Sequence, residues 1–228
     1  ISSEFGVGYA DITTRQQIQL RGYEIGHAPE IWRRLEAVGL GSLQTGMDNV
    51  RGVIGCAMAG LTRHELFDAS PVVQEYTDRF LRNKAFTNLP RKFNVAITGC
   101  TEHCTHADTQ DLGLTPASKM IGNEEVPGFH VAVGGKMGSG GYRAASPLDV
   151  FVRVEDAATL CGHITEIFRD HGSRASRTKA RMAFLVEAWG VAKFQAELKR
   201  RMGAALLPAG KDKRGAKTAD HIGVTPQK

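Results

Sequence analysis

The chain has 228 residues, 42% of them hydrophobic, with 26 glycines and only 8 prolines, enough for one large domain or two small ones around a real core. A net charge of +5 favours anionic partners, but aromatic residues make up only 7% and no basic stretch is interleaved with them, which gives base stacking on nucleic acid no support. No apolar run reaches membrane-spanning length and no signal peptide is evident, so the expected setting is cytoplasmic, without a membrane partner. Four cysteines, Cys56, Cys100, Cys104 and Cys161, are too few and too scattered for a disulfide scaffold and are expected as reduced thiols.

In chain order, Gln16–Tyr23 reads as a strand, with Ile18 and Leu20 alternating with Gln17, Gln19 and Arg21. Pro29 opens a helix carrying Ile31, Leu35 and Val38 up to Gly39. Ser70–Pro71 reads as an N-cap and first-turn proline for a helix over Val72–Leu81. Phe93, Val95 and Ile97 alternate on one face of a strand, leaving Lys92 and Asn94 on the other. Phe129–Val133 and Val150–Val154 are two more strands, and Glu155–His171 is an amphipathic helix with Cys161 on its apolar stripe. Helices over Ser176–Ala188 and Val191–Met202 follow. The stretch after Gly203 lacks apolar periodicity and reads as a linker.

Four stretches carry chemistry: Thr13-Thr14-Arg15-Gln16-Gln17-Ile18-Gln19-Leu20, Asp48-Asn49-Val50-Arg51-Gly52, Leu89-Pro90-Arg91-Lys92-Phe93-Asn94, and Thr98-Gly99-Cys100-Thr101-Glu102-His103-Cys104. Singly, each reads as an ordinary strand or turn. In this order and spacing they resemble the first half of the ferredoxin-type assimilatory nitrite and sulfite reductases. The resemblance runs on through Lys179-Ala180-Arg181 and Trp189-Gly190-Val191.

The resemblance implies an α+β fold: part of a ferredoxin-like half-domain over residues 1–42, a sirohaem-binding domain with a mixed sheet and flanking helices over 43–203, and a linker over 204–228 toward a missing second half. It implies six-electron reduction of nitrite to ammonia at a sirohaem, with ferredoxin as donor. The alternatives are sulfite reduction and a non-catalytic tetrapyrrole-binding or partner-packing module. Sirohaem contact is carried over to Thr14, Arg15, Gln19, Asn49, Arg51 and Lys92, and catalytic roles to Arg51, Lys92 and Asn94. Sirohaem is fringed with carboxylates, for which arginine is the best-fitted donor. Arg15 and Gln19, four apart, are expected to share one strand face. Asn94 favours nitrite, because sulfite enzymes of this family usually carry a second lysine there and sulfite is the more highly charged anion.

Cys100-x3-Cys104 resembles one of the two cysteine pairs that hold a 4Fe-4S cluster in the family, but in those enzymes that pair lies in the other half. The Cys-x5-Cys pair is absent here, so the cluster ligands are expected in the missing half and no metal ligands in this one, leaving the chain inactive by itself. Cys100 and Cys104 remain the alternative, either in a four-thiolate cluster that adds Cys56 and would have to recruit Cys161, or with His103 or His106 around zinc.

Overall fold

The structure, a computed structural model, describes residues 1–138, 141–216 and 220–228. Its N-terminal part holds a short helix α1 (Ser2–Phe5), a hairpin of β1 (Ala10–Ile12) and β2 (Ile18–Leu20), and helix α2 (Ala28–Glu36). The remainder is a six-stranded sheet packed against helices α3 (Ser70–Phe80), α4 (Ala157–His171) and α5 (Met182–Met202).

The strands are β3 (Val95–Ile97), β4 (Leu112–Ile121), β5 (Glu124–Val133), β6 (Ser146–Arg153), β7 (Leu207–Pro208) and β8 (Lys211–Asp212). They run in the order β3-β4-β5-β6-β7, with β8 continuing the β3 edge of β4. Only the β3–β4 pairing is parallel, so the sheet is mixed and the fold is α+β, as the resemblance implies.

The alternation read at Phe93, Val95 and Ile97 buries all three in the core, where Phe93 stacks on Phe168 of α4 at 5.4 Å. The stripe Ala157, Leu160, Cys161, Ile164 and Phe168 is fully covered. Burying a side chain of this size is worth about 1.5–3 kcal/mol, so these positions anchor the sheet's helix-covered face. No helix among the described residues is long and apolar enough to cross a membrane.

Five local readings are corrected. The Gln16–Tyr23 strand shrinks to Ile18–Leu20. Ser70 does not cap α3: Ala69 is the N-cap residue, and the Ser70 amide donates to Asp68 Oδ1 at 2.9 Å. β4 went unread because it is buried along its first seven residues and so shows no alternation. Its Pro116 is tolerated because it falls between the stretches paired to β3 (Leu112–Leu114) and to β8 (Ala117–Ser118). The first C-terminal helix begins at Met182, not Ser176; the break expected before Val191 is present at Gly190 (φ 71°, ψ 160°), a conformation open to glycine, so that α5 is two helices joined across a kink. Finally, 204–228 is not a free linker. β7 and β8 pair into the sheet, Gln227 bridges Thr62, and Lys228 Nζ reaches Glu65 at 2.5 Å; residues 217–219 lie outside the described residues.

Candidate functional site

Three backbone segments lie side by side at one end of the sheet. Val50 bridges Phe93 in parallel register; the Arg51 amide donates to the Phe93 carbonyl at 2.9 Å, and the Phe93 amide donates to Asn49 at 3.0 Å. On the other side, the Leu112 amide donates to the Asn94 carbonyl at 3.1 Å and the Asn94 amide donates to Asp111 Oδ2 at 2.8 Å. Because Phe93 points into the core, Lys92 and Asn94 occupy the opposite face, and the register puts Arg51 beside Asn94. Residues 43 apart in the sequence, Val50 and Phe93, are thus brought together by ordinary strand pairing.

Asp111 is fully buried and holds Arg181, the N-cap residue of α5, in a two-pronged pair: Nε to Oδ1 at 3.0 Å and Nη2 to Oδ2 at 2.7 Å. Burial pushes the Asp111 carboxyl upward even with Arg181 alongside. Asp111 was not read as a site residue. Its local signal is weak, a single acid before an apolar run, although both Asp111, within Ala107–Leu114, and Arg181 lie in stretches carrying the resemblance.

The cations around this pair are poorly neutralised. Arg15 donates from Nη2 to the Gly52 carbonyl at 2.7 Å, and Arg51 donates to the carbonyls of Thr45 (3.2 Å) and Met47 (2.9 Å). Neither forms an ion pair among the described residues, nor does Lys92. Burial, followed by the charge of Arg51, lowers Arg15 to about 10. Burial, then Arg181, Arg51 and Arg91, pulls Lys92 below its ordinary range. Arg51 Nε and Asn49 Oδ1 are buried with no hydrogen-bond partner, an arrangement that costs free energy unless a further group meets them. Arg91 differs: together with Arg177 it is paired to Asp48.

The shared strand face expected for Arg15 and Gln19 does not form. Gln16 has a left-handed backbone (φ 56°), and the Gln17 carbonyl accepts from Thr13, so Arg15 sits in the hairpin turn. The turn docks on the sheet domain by a reciprocal amide pair, Gln16 Nε2 to the Gly55 carbonyl at 2.7 Å and the Gly55 amide to Gln16 Oε1 at 3.1 Å. Arg15 therefore does reach the cation cluster, while Thr14 is exposed and Gln19 is exposed and accepts from Arg21.

The thiols are also rearranged relative to expectation. Cys161 is sealed in the core, and burial pushes its thiol up. His106 pairs with Asp220 instead of facing a thiol. Cys100 and Cys104 are joined by Cys56, and the histidine that meets them is His221, whose Nε2 lies 3.3 Å from Cys56 Sγ and 3.5 Å from Cys100 Sγ. All four donor atoms fall within 4.8 Å of one another. Hydrogen bonds with Cys100 and Cys104 hold the Cys56 thiol well below its usual range, whereas those with Cys100 and Cys56, together with burial, push Cys104 above it. The fold thus gathers Cys56, Cys100, Cys104 and His221 into a set that could hold a metal ion, where no metal ligands were expected from the sequence.

Residues 46–206 match the family model described as the nitrite and sulphite reductase 4Fe-4S domain, and residues 1–38 match the nitrite/sulfite reductase ferredoxin-like half domain. The chain belongs to the nitrite and sulphite reductase family. Members similar to it include the assimilatory ferredoxin-dependent nitrite reductase of Haloferax mediterranei, 40% identical over 98% of this chain and 40% of the relative. The ferredoxin–nitrite reductase of Leptolyngbya laminosa is 41% identical over 97% of this chain and 44% of its own length. The chain thus spans less than half the length of these curated relatives. The solved NirA protein of Mycobacterium tuberculosis superposes with a TM-score of 0.92 at 31% identity, covering 100% of this chain and 41% of that one. A dissimilatory sulfite reductase shares the fold at 12% identity and a TM-score of 0.69.

Proposed function

We infer that this chain forms the sirohaem side of a ferredoxin-dependent nitrite reductase, completed by further sequence to the length of its relatives. Residues 1–42 and 43–203 are its two structural units in this reading. One observation carries it: Arg15, Arg51 and Lys92 are held together against their mutual repulsion, without an ion-paired carboxylate among the described residues and with Arg51 Nε buried and unmet. Such a cluster suits a carboxylate-fringed macrocycle and a small anion, so the residues present fit sirohaem. The adjoining cavity, lined by Gln17, Leu43, Val50, Arg51 and Thr77, holds about 90 Å³, far below a ligand site of several hundred cubic ångströms. A macrocycle would therefore rest on the cationic face, outside that cavity.

When bound, sirohaem supplies the redox-active iron; the chain supplies charge, orientation and protons. Arg51, tied to the Thr45 and Met47 carbonyls, is a fixed cation facing developing negative charge. Lys92, whose pKa is lowered by burial and neighbouring cations, gives up a proton from Nζ more readily than a free lysine. Asn94 adds a neutral side chain beside them, matching a monoanion better than a dianion. Reduced ferredoxin is the proposed donor, as in the names of the relatives.

The test of this anion preference is Asn94→Lys in the completed polypeptide. A further cation at a few ångströms is worth roughly 1–4 kcal/mol toward the more highly charged anion before desolvation. The kcat/KM ratio of sulfite to nitrite is expected to rise about tenfold, each 1.36 kcal/mol being a factor of about ten. An unchanged ratio with the fold intact removes the case for nitrite over sulfite.

A further inference from the structure

We propose that Cys56, Cys100, Cys104 and His221 bind a single zinc ion, and that this ion fastens the C-terminal segment to the sheet domain. The four donors come from three separate places: the loop that follows the hairpin-docked Gly55, the turn after β3, and a segment 121 residues beyond Cys100. Three sulfurs and one imidazole nitrogen are a structural zinc set.

Size decides between one ion and a cluster. A tetrahedral site with zinc–sulfur bonds of about 2.3 Å and zinc–nitrogen bonds of about 2.0 Å has edges of roughly 3.5–3.8 Å. The two sulfur–nitrogen contacts here are 3.3 and 3.5 Å, and no donor pair exceeds 4.8 Å. A four-iron cubane places each thiolate outboard of its own iron, on a distinctly larger tetrahedron, and asks for a fourth thiolate that this group lacks. The donor set does not fit it.

A second, independent feature points to a ligand. His221 presents Nε2 to the sulfurs while its Nδ1 lies 2.9 Å from Glu102 Oε2, the carboxylate–histidine relay that orients metal-bound imidazoles. Its side chain is only 4% exposed and its backbone is left-handed (φ 55°), a conformation that costs free energy for a non-glycine residue. The segment is also docked downstream, where the Lys228 amide donates to the Leu61 carbonyl at 3.0 Å and Arg63 Nε donates to the Gln227 carbonyl at 2.7 Å. On binding, the thiols coordinate as thiolates, their protons passing to solvent, and the imidazole coordinates neutral; no electron is transferred.

The experiment is metal analysis and Zn²⁺ titration of the reduced chain against a chromophoric chelator, with Co²⁺ as a spectroscopic stand-in. One ion per chain is expected, with the thiolate-to-metal and d–d bands of tetrahedral cobalt. Cys104→Ser and His221→Ala should each weaken Zn²⁺ strongly, and Glu102→Gln by about 10–100-fold. Zinc should also protect the region around His221 from hydrogen exchange in wild type and fail to do so in His221→Ala. Circular dichroism of each variant establishes that it is folded. Three results would overturn the proposal: no binding by the folded wild type, undiminished affinity in folded His221→Ala, or four irons with sulfide per chain after reconstitution. None of these bears on the cationic face, so failure here leaves the sirohaem reading standing.

Discussion

Replacing Arg181 with Met is expected to destabilise the fold by about 3–5 kcal/mol, because it leaves the carboxylate of Asp111 buried without its counter-charge. The pair is 10% and 0% exposed, so solvent cannot take over the role of the guanidinium. The remaining donor to Asp111, the Asn94 amide, is a single neutral hydrogen bond. The pH dependence has a definite sign. Burial already holds the Asp111 carboxyl above its ordinary range, and losing Arg181 raises it further. Below that raised value the group is protonated and the burial penalty falls, so the variant's deficit should be larger at about pH 8 than at about pH 5. Urea unfolding of wild type and Arg181→Met at both pH values measures it. Adding Asp111→Asn should recover much of the loss. A deficit under 1 kcal/mol, or one that grows on acidification, would show that this pair does not hold α5 to the sheet.

Arg51→Ala, in the completed polypeptide, is expected to lower kcat/KM for nitrite and for sulfite alike by about 10²–10³, the usual cost of removing one fixed donor from a site of developing negative charge. Both anions need this cation, which is what separates the variant from Asn94→Lys, where the ratio moves. Arg51→Lys should recover part of the loss by restoring charge without the planar fork. Arg51 also donates to Thr45 and Met47, so a purely structural role would appear as a lowered Tm with unchanged kinetics in the folded fraction. That outcome would remove Arg51 from the anion site.

How much of this could be read from the residues differs by element. β5 and α4 are legible because each has one covered face along most of its length, so hydrophobicity alternates or recurs at helical spacing. β4 was hidden for the opposite reason: covered on both faces, it offers no period. β6 is also covered on both faces over Val150, Phe151 and Val152, and is legible only as a short run of β-branched and aromatic residues. The face shared by Lys92 and Asn94 followed from strand alternation around Phe93, and the structure keeps it. Arg15 joins the same cluster by a different route, through a turn opened by the left-handed Gln16, which no alternation rule anticipates. His221 was illegible. It lies 121 residues from Cys100 in a stretch without apolar pattern, and the strand pairing of β7 and β8, with the contacts of Gln227 and Lys228 further on, brings that stretch back toward the thiols. Asp111 was similarly silent, since a buried acid is recognised by its partner, and the partner arrives from the start of α5.

The central claim, that the cationic face of Arg15, Arg51 and Lys92 serves anion reduction at a sirohaem, is tested most directly by product stoichiometry. The completed polypeptide, loaded with sirohaem and supplied with reduced ferredoxin, should form one ammonium per nitrite, consuming six electrons, and should lose that turnover in Arg51→Ala while retaining its fold. Nitrite left unconsumed by the loaded enzyme, or ammonium formed at an undiminished rate in folded Arg51→Ala, would contradict it.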